Sequence, residues 1–188
     1  MDCYSYSDIF ARLKKPMARW NIRAGVVIAA VIDGGVSFLL VRGKPAEVGG
    51  SPRSYWGFPK GLRQHDETNP LLTAFRELRE ETGIEKFPYN SLFHKLPLTY
   101  IRDDMREINF FILVVVYSKL DVVLQPEEIA ESGWFTADEA LALPNLTVPA
   151  RVTITAIVKN NLYSESNKRL RYFTPEVLLA SQSSAAAR

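Results

Sequence analysis

The chain has 188 residues, 47% of them hydrophobic, with one cysteine, two histidines and a formal net charge of +2. That length and composition suit one globular domain with a full apolar core. The lone Cys3 excludes an internal disulfide, and Cys3 with only His65 and His94 argues against a His/Cys zinc centre. The N-terminus lacks an apolar signal core. The longest apolar stretches, 24–32 and 110–117, are strand-length and far short of a membrane span. The expectation is a soluble cytoplasmic protein with no membrane partner.

Residues 1–20 read as an N-terminal appendage, 21–175 as the domain proper and 176–188 as a flexible tail. Residues 23–32 and 36–41 read as strands around an Asp33-Gly34-Gly35 turn. Residues 44–54, rich in Gly, Pro and Ser, read as a loop. The run YWGFPKG at 55–61 leads into a polar loop containing Asp66 and Glu67. Asn69 is a good N-cap and Pro70 a good first helical residue, so a helix is predicted to start there. Gly83 suits the left-handed position just past its end. Residues 93–102 and 108–117 read as two further strands joined by a charged turn. Thr136-x-x-Glu139 has the capping-box form and opens a short helix. Pro149 opens another, running to about residue 163. Mixed strands with interleaved helices imply an α/β sandwich, and no internal repeat is visible.

The predicted helix carries an unusual charge pattern. Residues 76–84 read Arg-Glu-Leu-Arg-Glu-Glu-Thr-Gly-Ile. At 100° per residue, Glu77, Glu80 and Glu81 fall within about 100° of one another. Leu71, Phe75, Leu78 and Thr82 form a separate stripe roughly 130° away. Like charges at this spacing cost a few tenths of a kcal/mol each. A hard divalent cation, which prefers oxygen ligands, would offset that cost. Arg76 lies four residues before Glu80 and can pair with it. A solvated face with local salt bridges accounts for the same run without any ion.

Gly61, then Glu67 after five residues, then Arg-Glu-apolar-x-Glu-Glu-x-Gly-apolar at 76–84 is the pattern of the Nudix box. The chain resembles the Nudix hydrolases, specifically within 56–84 and in outline over 24–162. The family's box has seven residues between its loop glutamate and its arginine, whereas 68–75 makes eight. Asn69 stands where relatives commonly have a helix cap. The extra residue is therefore placed near Thr68, the helix register stays intact, and the role of Glu67 stays open.

The resemblance implies a Nudix-type α/β/α sandwich with a mixed sheet. It also implies hydrolysis of a pyrophosphate bond in a nucleoside diphosphate linked to another group. Glu77, Glu80 and Glu81 would bind Mg²⁺ or Mn²⁺, helped by the backbone carbonyl of Lys60 or Gly61. Glu81 and Arg76 would then belong to the catalytic set, with Arg76 orienting a glutamate of the box. Such ions neutralise phosphate oxygens and lower the pKa of a bound water. In-line attack then depends on positioning and charge stabilisation. Residues 127–135 read EEIAESGWF. In several relatives, notably mRNA-decapping members, a Glu before Ile supplies a general base or a further metal ligand, and Glu128 matches it. A charged loop before the strand containing Trp134 accounts equally for these residues. Trp56 and Trp134 read as packing residues.

Charge is unevenly spread. Residues 1–23 carry +3, 24–150 carry −5 and 151–173 carry +4. The segment 167–173 mixes Lys168, Arg169 and Arg171 with aromatics, which suits an RNA or polyphosphate backbone and suits an ordinary solvated surface as well. Lys60, Arg42, Arg102 and Arg106 are further candidates for substrate phosphates. The WGFPKG lead-in looks like that of mRNA-decapping Nudix enzymes and of viral Nudix proteins acting on caps or diphosphoinositol polyphosphates. Diadenosine polyphosphate hydrolases have similar lead-ins. The expected partner is thus a nucleotide or polyphosphate substrate, with RNA as the leading expectation. A catalytically dead module that only binds nucleotide, RNA or protein would be marked by loss of the box carboxylates, and all three are present.

Overall fold

Alternation along two long strands sets the layers of the molecule. The computed structural model describes residues 20–48, 51–67, 69–94, 97–102, 105–167 and 170–172. Strand β1 (Asn21–Ile32) runs parallel to β9 (Glu107–Val116), in register from Asn21 opposite Glu107 to Ala30 opposite Val116. Both strands are buried on both faces, as a central parallel pair requires. One face presents Val27, Ala29, Phe111, Leu113 and Val115 to helices α2 (Ala137–Ala142) and α3 (Val148–Lys159), through Ala140, Ala150, Ile154 and Ile157. The other presents Ala24, Val26, Ile28, Phe110, Ile112 and Val114 to helix α1 (Pro70–Thr82), through Ala74 and Leu78. The result is the expected α/β/α sandwich on a mixed sheet.

The sheet runs β10-β2-β1-β9-β7-β11, with β2 at Gly35–Gly43, β7 at Leu92–His94, β10 at Ile129–Thr136 and β11 at Leu170–Tyr172. A two-residue turn joins β1 to β2, with Asp33 at φ 50° and Gly34 at φ 78°. Positive φ at both central residues matches the twist of the flanking strands. The Thr136 capping box forms as predicted, with both reciprocal bonds present.

Three expectations are corrected, and the lead-in proves to be strand. The loop at 44–54 contains a small hairpin, β3 (Ala46–Val48) and β4 (Ser51–Arg53), held by backbone pairing without the apolar alternation that would have announced it. The single strand predicted over 93–102 is two strands, β7 and β8 (Leu98–Arg102). Both pair with β9, but the register slips by two residues between Phe93 opposite Val114 and Leu98 opposite Phe111. Pro97, which has no N–H to give a ladder, stands at the break. Helix α3 ends at Lys159, short of 163, and Asn161 then adopts φ 47°. The WGFPKG segment is two short strands: β5 (Trp56–Gly57) pairs with β2 and β6 (Lys60–Leu62) with β1. The appendage at 1–19 and the tail at 176–188 lie outside the described residues. No described helix is long and apolar enough to cross a membrane.

The lead-in therefore fills the gap where β1 and β2 diverge, and a close approach at Gly25 holds it there. The Val26 N–H donates to the Pro59 carbonyl at 3.1 Å. A Cβ on Gly25 would strike that carbonyl oxygen and the Lys60 Cβ. Gly25→Ala is expected to cost about 1–3 kcal/mol through overpacking against backbone that has little room to yield. Denaturant titration measures this, and a variant as stable as the parent would show that the lead-in is not clamped at this point.

Candidate active site

Helix α1 begins and ends as its sequence requires. The Asn69 side chain accepts from the Leu71 N–H at 2.9 Å and Pro70 follows it. Gly83 takes the left-handed conformation at φ 67° and closes the helix onto the Arg79 carbonyl. These two caps fix the helix frame, which faces Leu78 into the core and carries Arg76 and the glutamates towards β6.

Arg76 is the hub of the site. Its Nε donates to Glu67 Oε1 at 2.8 Å, and its Nη1 to Glu77 Oε1 at 2.7 Å and Glu80 Oε2 at 2.8 Å. Its Nη2 reaches the Leu62 carbonyl of β6 at 3.1 Å. Glu67 also accepts from Thr73 Oγ1 at 2.6 Å and from the Gln64 N–H at 2.8 Å. Burial works to raise the Glu67 proton affinity, but the bonds from Arg76, Thr73 and Gln64 outweigh it and hold the carboxyl below its ordinary value. The extra residue in the box thus leaves Glu67 able to anchor Arg76. The loop takes up the added length before Asn69, as the intact cap implies.

Glu77 and Glu81 face β6. A Cβ on Gly61 would overlap the Glu77 carboxylate, so only glycine leaves room for it. Glu81 Oε2 accepts from the Lys60 N–H at 3.2 Å. Burial, and then the charge of Glu77, push the Glu81 carboxyl up to about 8. Burial also raises Glu77, against the pull of Arg76, and Glu80 and Glu128 raise it further. Glu128 stands in the turn before β10, and its charge acts on both Glu77 and Glu81. That charge comes from 47 residues further along the chain than Glu81. Glu80 is the outlier: its side chain is 40% exposed and paired to Arg76. As the side chains stand, no three His, Cys, Asp or Glu groups among the described residues converge as a metal cluster. The single spot expected from helical angles is thus corrected, because Arg76 draws Glu77 and Glu80 to itself.

The donor set nevertheless fits a hard divalent ion. It consists of carboxylate oxygens and strand carbonyls, with no sulfur or imidazole. Glu81 is buried and Glu77 half-buried; they repel each other and are held above their ordinary proton affinity, which is the electrostatic state a cation relieves. Glu77, Glu81 and Glu80, with the Lys60 or Gly61 carbonyl, are the groups that would hold Mg²⁺ or Mn²⁺.

The other candidates scatter. Lys60 stands opposite Gly25, so its side chain lies on the sheet face away from α1. Burial, and then the nearby Arg23, lower its pKa, while Glu107, Glu81 and Glu77 act in the other direction. Arg102 is opposite Glu107 on β8. Arg42 does not point at the carboxylates: it pairs with Glu131 and lies 5.5 Å from the Trp56 ring centre. Arg106 sits in the exposed turn before β9 at φ 48°. Arg171 belongs to β11, opposite Phe93, and Lys168 and Arg169 lie outside the described residues. Trp56 is buried and edge-on to Phe135 at 5.1 Å, a packing residue as expected. Sequence reasoning missed Arg23, Glu107 and Asn109. Arg23 Nε donates to Glu107 Oε2 at 3.1 Å and Asn109 Nδ2 to Glu107 Oε1 at 2.8 Å. The available signal was an Asn interrupting the apolar run 108–116.

Comparison with known proteins agrees with this architecture. The family model for the NUDIX domain matches residues 21–156. A candidate mRNA-decapping protein of Acanthamoeba polyphaga mimivirus is 33% identical over 93 residues, covering 46% of this chain and 26% of that relative. The chain thus spans about a quarter of that relative's length. Among solved structures, the Ap4A hydrolase of C. elegans in a binary complex has a TM-score of 0.56 at 21% identity, covering 76% of this chain and 97% of that one. The NUDIX domain of Shewanella oneidensis NrtR, complexed with ADP ribose, has a TM-score of 0.58 at 16% identity, with coverages of 85% and 99%. At these identities the structural likeness speaks for the fold. With the family model covering most of the chain and Glu77, Glu80 and Glu81 in place on α1, the chain belongs to the NUDIX family.

Proposed function

We propose that this chain is a metal-dependent pyrophosphohydrolase that cleaves the 5′ cap or 5′ pyrophosphate of RNA. The observation that carries this reading is that strand β6 receives the carboxylates of Glu77 and Glu81, at Gly61 and at the Lys60 N–H, with the charge of Glu128 acting on both. The match to a candidate viral decapping protein supports the RNA substrate. A dinucleoside polyphosphate or a diphosphoinositol polyphosphate is the alternative substrate. A non-catalytic binding module is disfavoured by the intact box.

When bound, Mg²⁺ or Mn²⁺ supplies charge neutralisation on the phosphates and acidifies a coordinated water. The protein's own groups do the rest. Arg76 holds Glu77 and, through Glu67, ties the helix to the preceding loop. Gly61 admits the Glu77 carboxylate. Glu128, whose charge acts on Glu77 and Glu81, would take a proton from the attacking water. Lys60 and Arg23 offer positive charge to the phosphates on the far side of β6. The deciding experiment is a substrate panel with Mg²⁺ or Mn²⁺, in which capped RNA should release a methylated guanosine diphosphate. Release from diadenosine or diphosphoinositol polyphosphates alone would move the assignment to them. Excess chelator should abolish turnover, and undiminished activity would remove the metal from the account.

Glu81→Gln keeps size and helix propensity while removing a charge. A rate loss on the order of a hundredfold or more is expected, since a metal contributes several kcal/mol of transition-state stabilisation. Stability should move the other way in metal-free buffer. The folded-state pKa of about 8 lies above the ordinary 4.5, so the carboxyl favours folding when protonated. That contribution is complete below about 4.5 and is lost as pH rises through 8. Thermal melts of parent and variant should therefore diverge in favour of Gln over that window. A gap that does not change with pH would show that Glu81 ionises freely.

Lys168, Arg169 and Arg171 test the RNA body. Changing all three to Ala should weaken binding of long capped RNA and reduce its salt dependence by up to about three counterions' worth. Hydrolysis of a free cap dinucleotide should be unchanged. Catalytic efficiency on long and short substrates at two salt concentrations measures this, and equal loss on both would place the segment at the active centre or in the structural framework.

A further inference from the structure

Asn109 is fully buried in the middle of an otherwise apolar run, Ile108 to Val116 of β9. Asparagine is poorly suited to a central strand, and burying its carboxamide is costly unless both ends are bonded. Only one end is. Its Nδ2 donates to Glu107 Oε1 at 2.8 Å, while its Oδ1 has no hydrogen-bond partner among the described residues. The amide cannot turn over to exchange its ends, because Glu107 accepts and does not donate. Glu107 is held ionised: burial opposes this, but Asn109, Arg23 and Lys60 outweigh it. The oxygen is therefore locked facing away from Glu107, and an unmet buried acceptor of this kind costs about 1–3 kcal/mol.

The surroundings say what would satisfy it. Asn109 pairs with Arg23 of β1 on one side and Tyr100 of β8 on the other, so all three share the sheet face that Lys60 occupies. Lys60 links this face to the proposed metal centre: its side chain lies on this face, opposite Gly25, while its backbone N–H donates to Glu81 Oε2 at 3.2 Å. Tyr100 is half-buried and offers a ring to a flat ligand. Arg23, one-third exposed, offers charge to a phosphate. A highly phosphorylated inositol would set phosphate oxygens against the Asn109 oxygen and the Glu107 carboxylate.

We infer that Asn109 is a specificity-determining residue whose Oδ1 accepts a hydrogen bond from an amine or ring N–H of a nucleobase lying on the β1/β9/β8 face. This deepens the proposed function and rests on it for the position of the phosphates. It selects nucleotide substrates over inositol polyphosphates and amine-bearing bases over bases without donors. Asn109 acts on the substrate alone and takes no part in the chemistry.

Equilibrium binding in Mg²⁺ tests it without hydrolysis. The probes are GDP and ADP, purine riboside 5′-diphosphate (which has no amine and no ring N–H), and methylenebisphosphonate as a ligand without a base. The wild-type protein should bind GDP or ADP at least tenfold more tightly than purine riboside diphosphate. Asn109→Leu should abolish that preference, losing tenfold or more for the amine-bearing ligand and leaving methylenebisphosphonate unchanged. Asn109→Ser, smaller and still polar, is read in the same assay should the leucine variant not fold. No preference in the wild type, or equal loss for all probes, would overturn the assignment. A preserved preference in a protein that hydrolyses no pyrophosphate would leave Asn109 as the base reader and refute the enzymatic reading alone.

Discussion

One guanidinium holds the site together. Arg76 spends its fork on Glu67, Glu77, Glu80 and the Leu62 carbonyl, and so joins the loop, the helix and strand β6. Without it, the buried Glu67 and the half-buried Glu77 would lose the cation that offsets their desolvation. A planar, permanently charged fork can satisfy several oxygens at fixed angles, which a lysine cannot. The proton affinity of Arg76 rises accordingly, chiefly through Glu67.

The second constraint is steric. The lead-in fills the gap between β1 and β2, and two glycines make this possible. Gly25 lets the Pro59 carbonyl approach β1, and Gly61 lets the Glu77 carboxylate approach β6. Because neighbouring residues of a strand face opposite ways, Gly61 meets α1 while Lys60 crosses to the other face. A segment three residues long thus connects the carboxylate centre with the Arg23, Glu107 and Asn109 cluster.

The arrangement is costly to the fold without a cation. Glu81 is pushed up to about 8 by burial and by Glu77, and the Asn109 oxygen is buried without a donor among the described residues. Breaches of good packing practice of this kind concentrate where function is carried. They stand on a doubly capped helix and a strand pair buried on both faces, whose packing can bear the cost.

How much of this was legible from the chain depends on the range of each interaction. The frame of α1 was readable because Asn69, Pro70 and Gly83 act through neighbouring backbone, and the Arg76 to Glu80 pair followed from helical spacing. The β1-β2 turn was readable for the same reason. The short strands β3 to β6 were not, since two- and three-residue ladders carry no periodicity. The break at Pro97 left a signal that was passed over. The anchoring of Arg76 by Glu67 stayed open because a loop of one added residue can close in more than one way. The Arg23, Glu107 and Asn109 cluster depends on the parallel pairing of β1 with β9, over 80 residues apart in sequence. By itself, the sequence determined the family, the chemistry of the donor groups and the helix that bears them, because those reside in local pattern. The action of the Glu128 charge on Glu81, the diversion of Glu80 and Arg42, and the buried face around Asn109 were decided only by the tertiary structure. Strand order and the choice of face are properties of the packed sheet, which no short stretch of residues encodes.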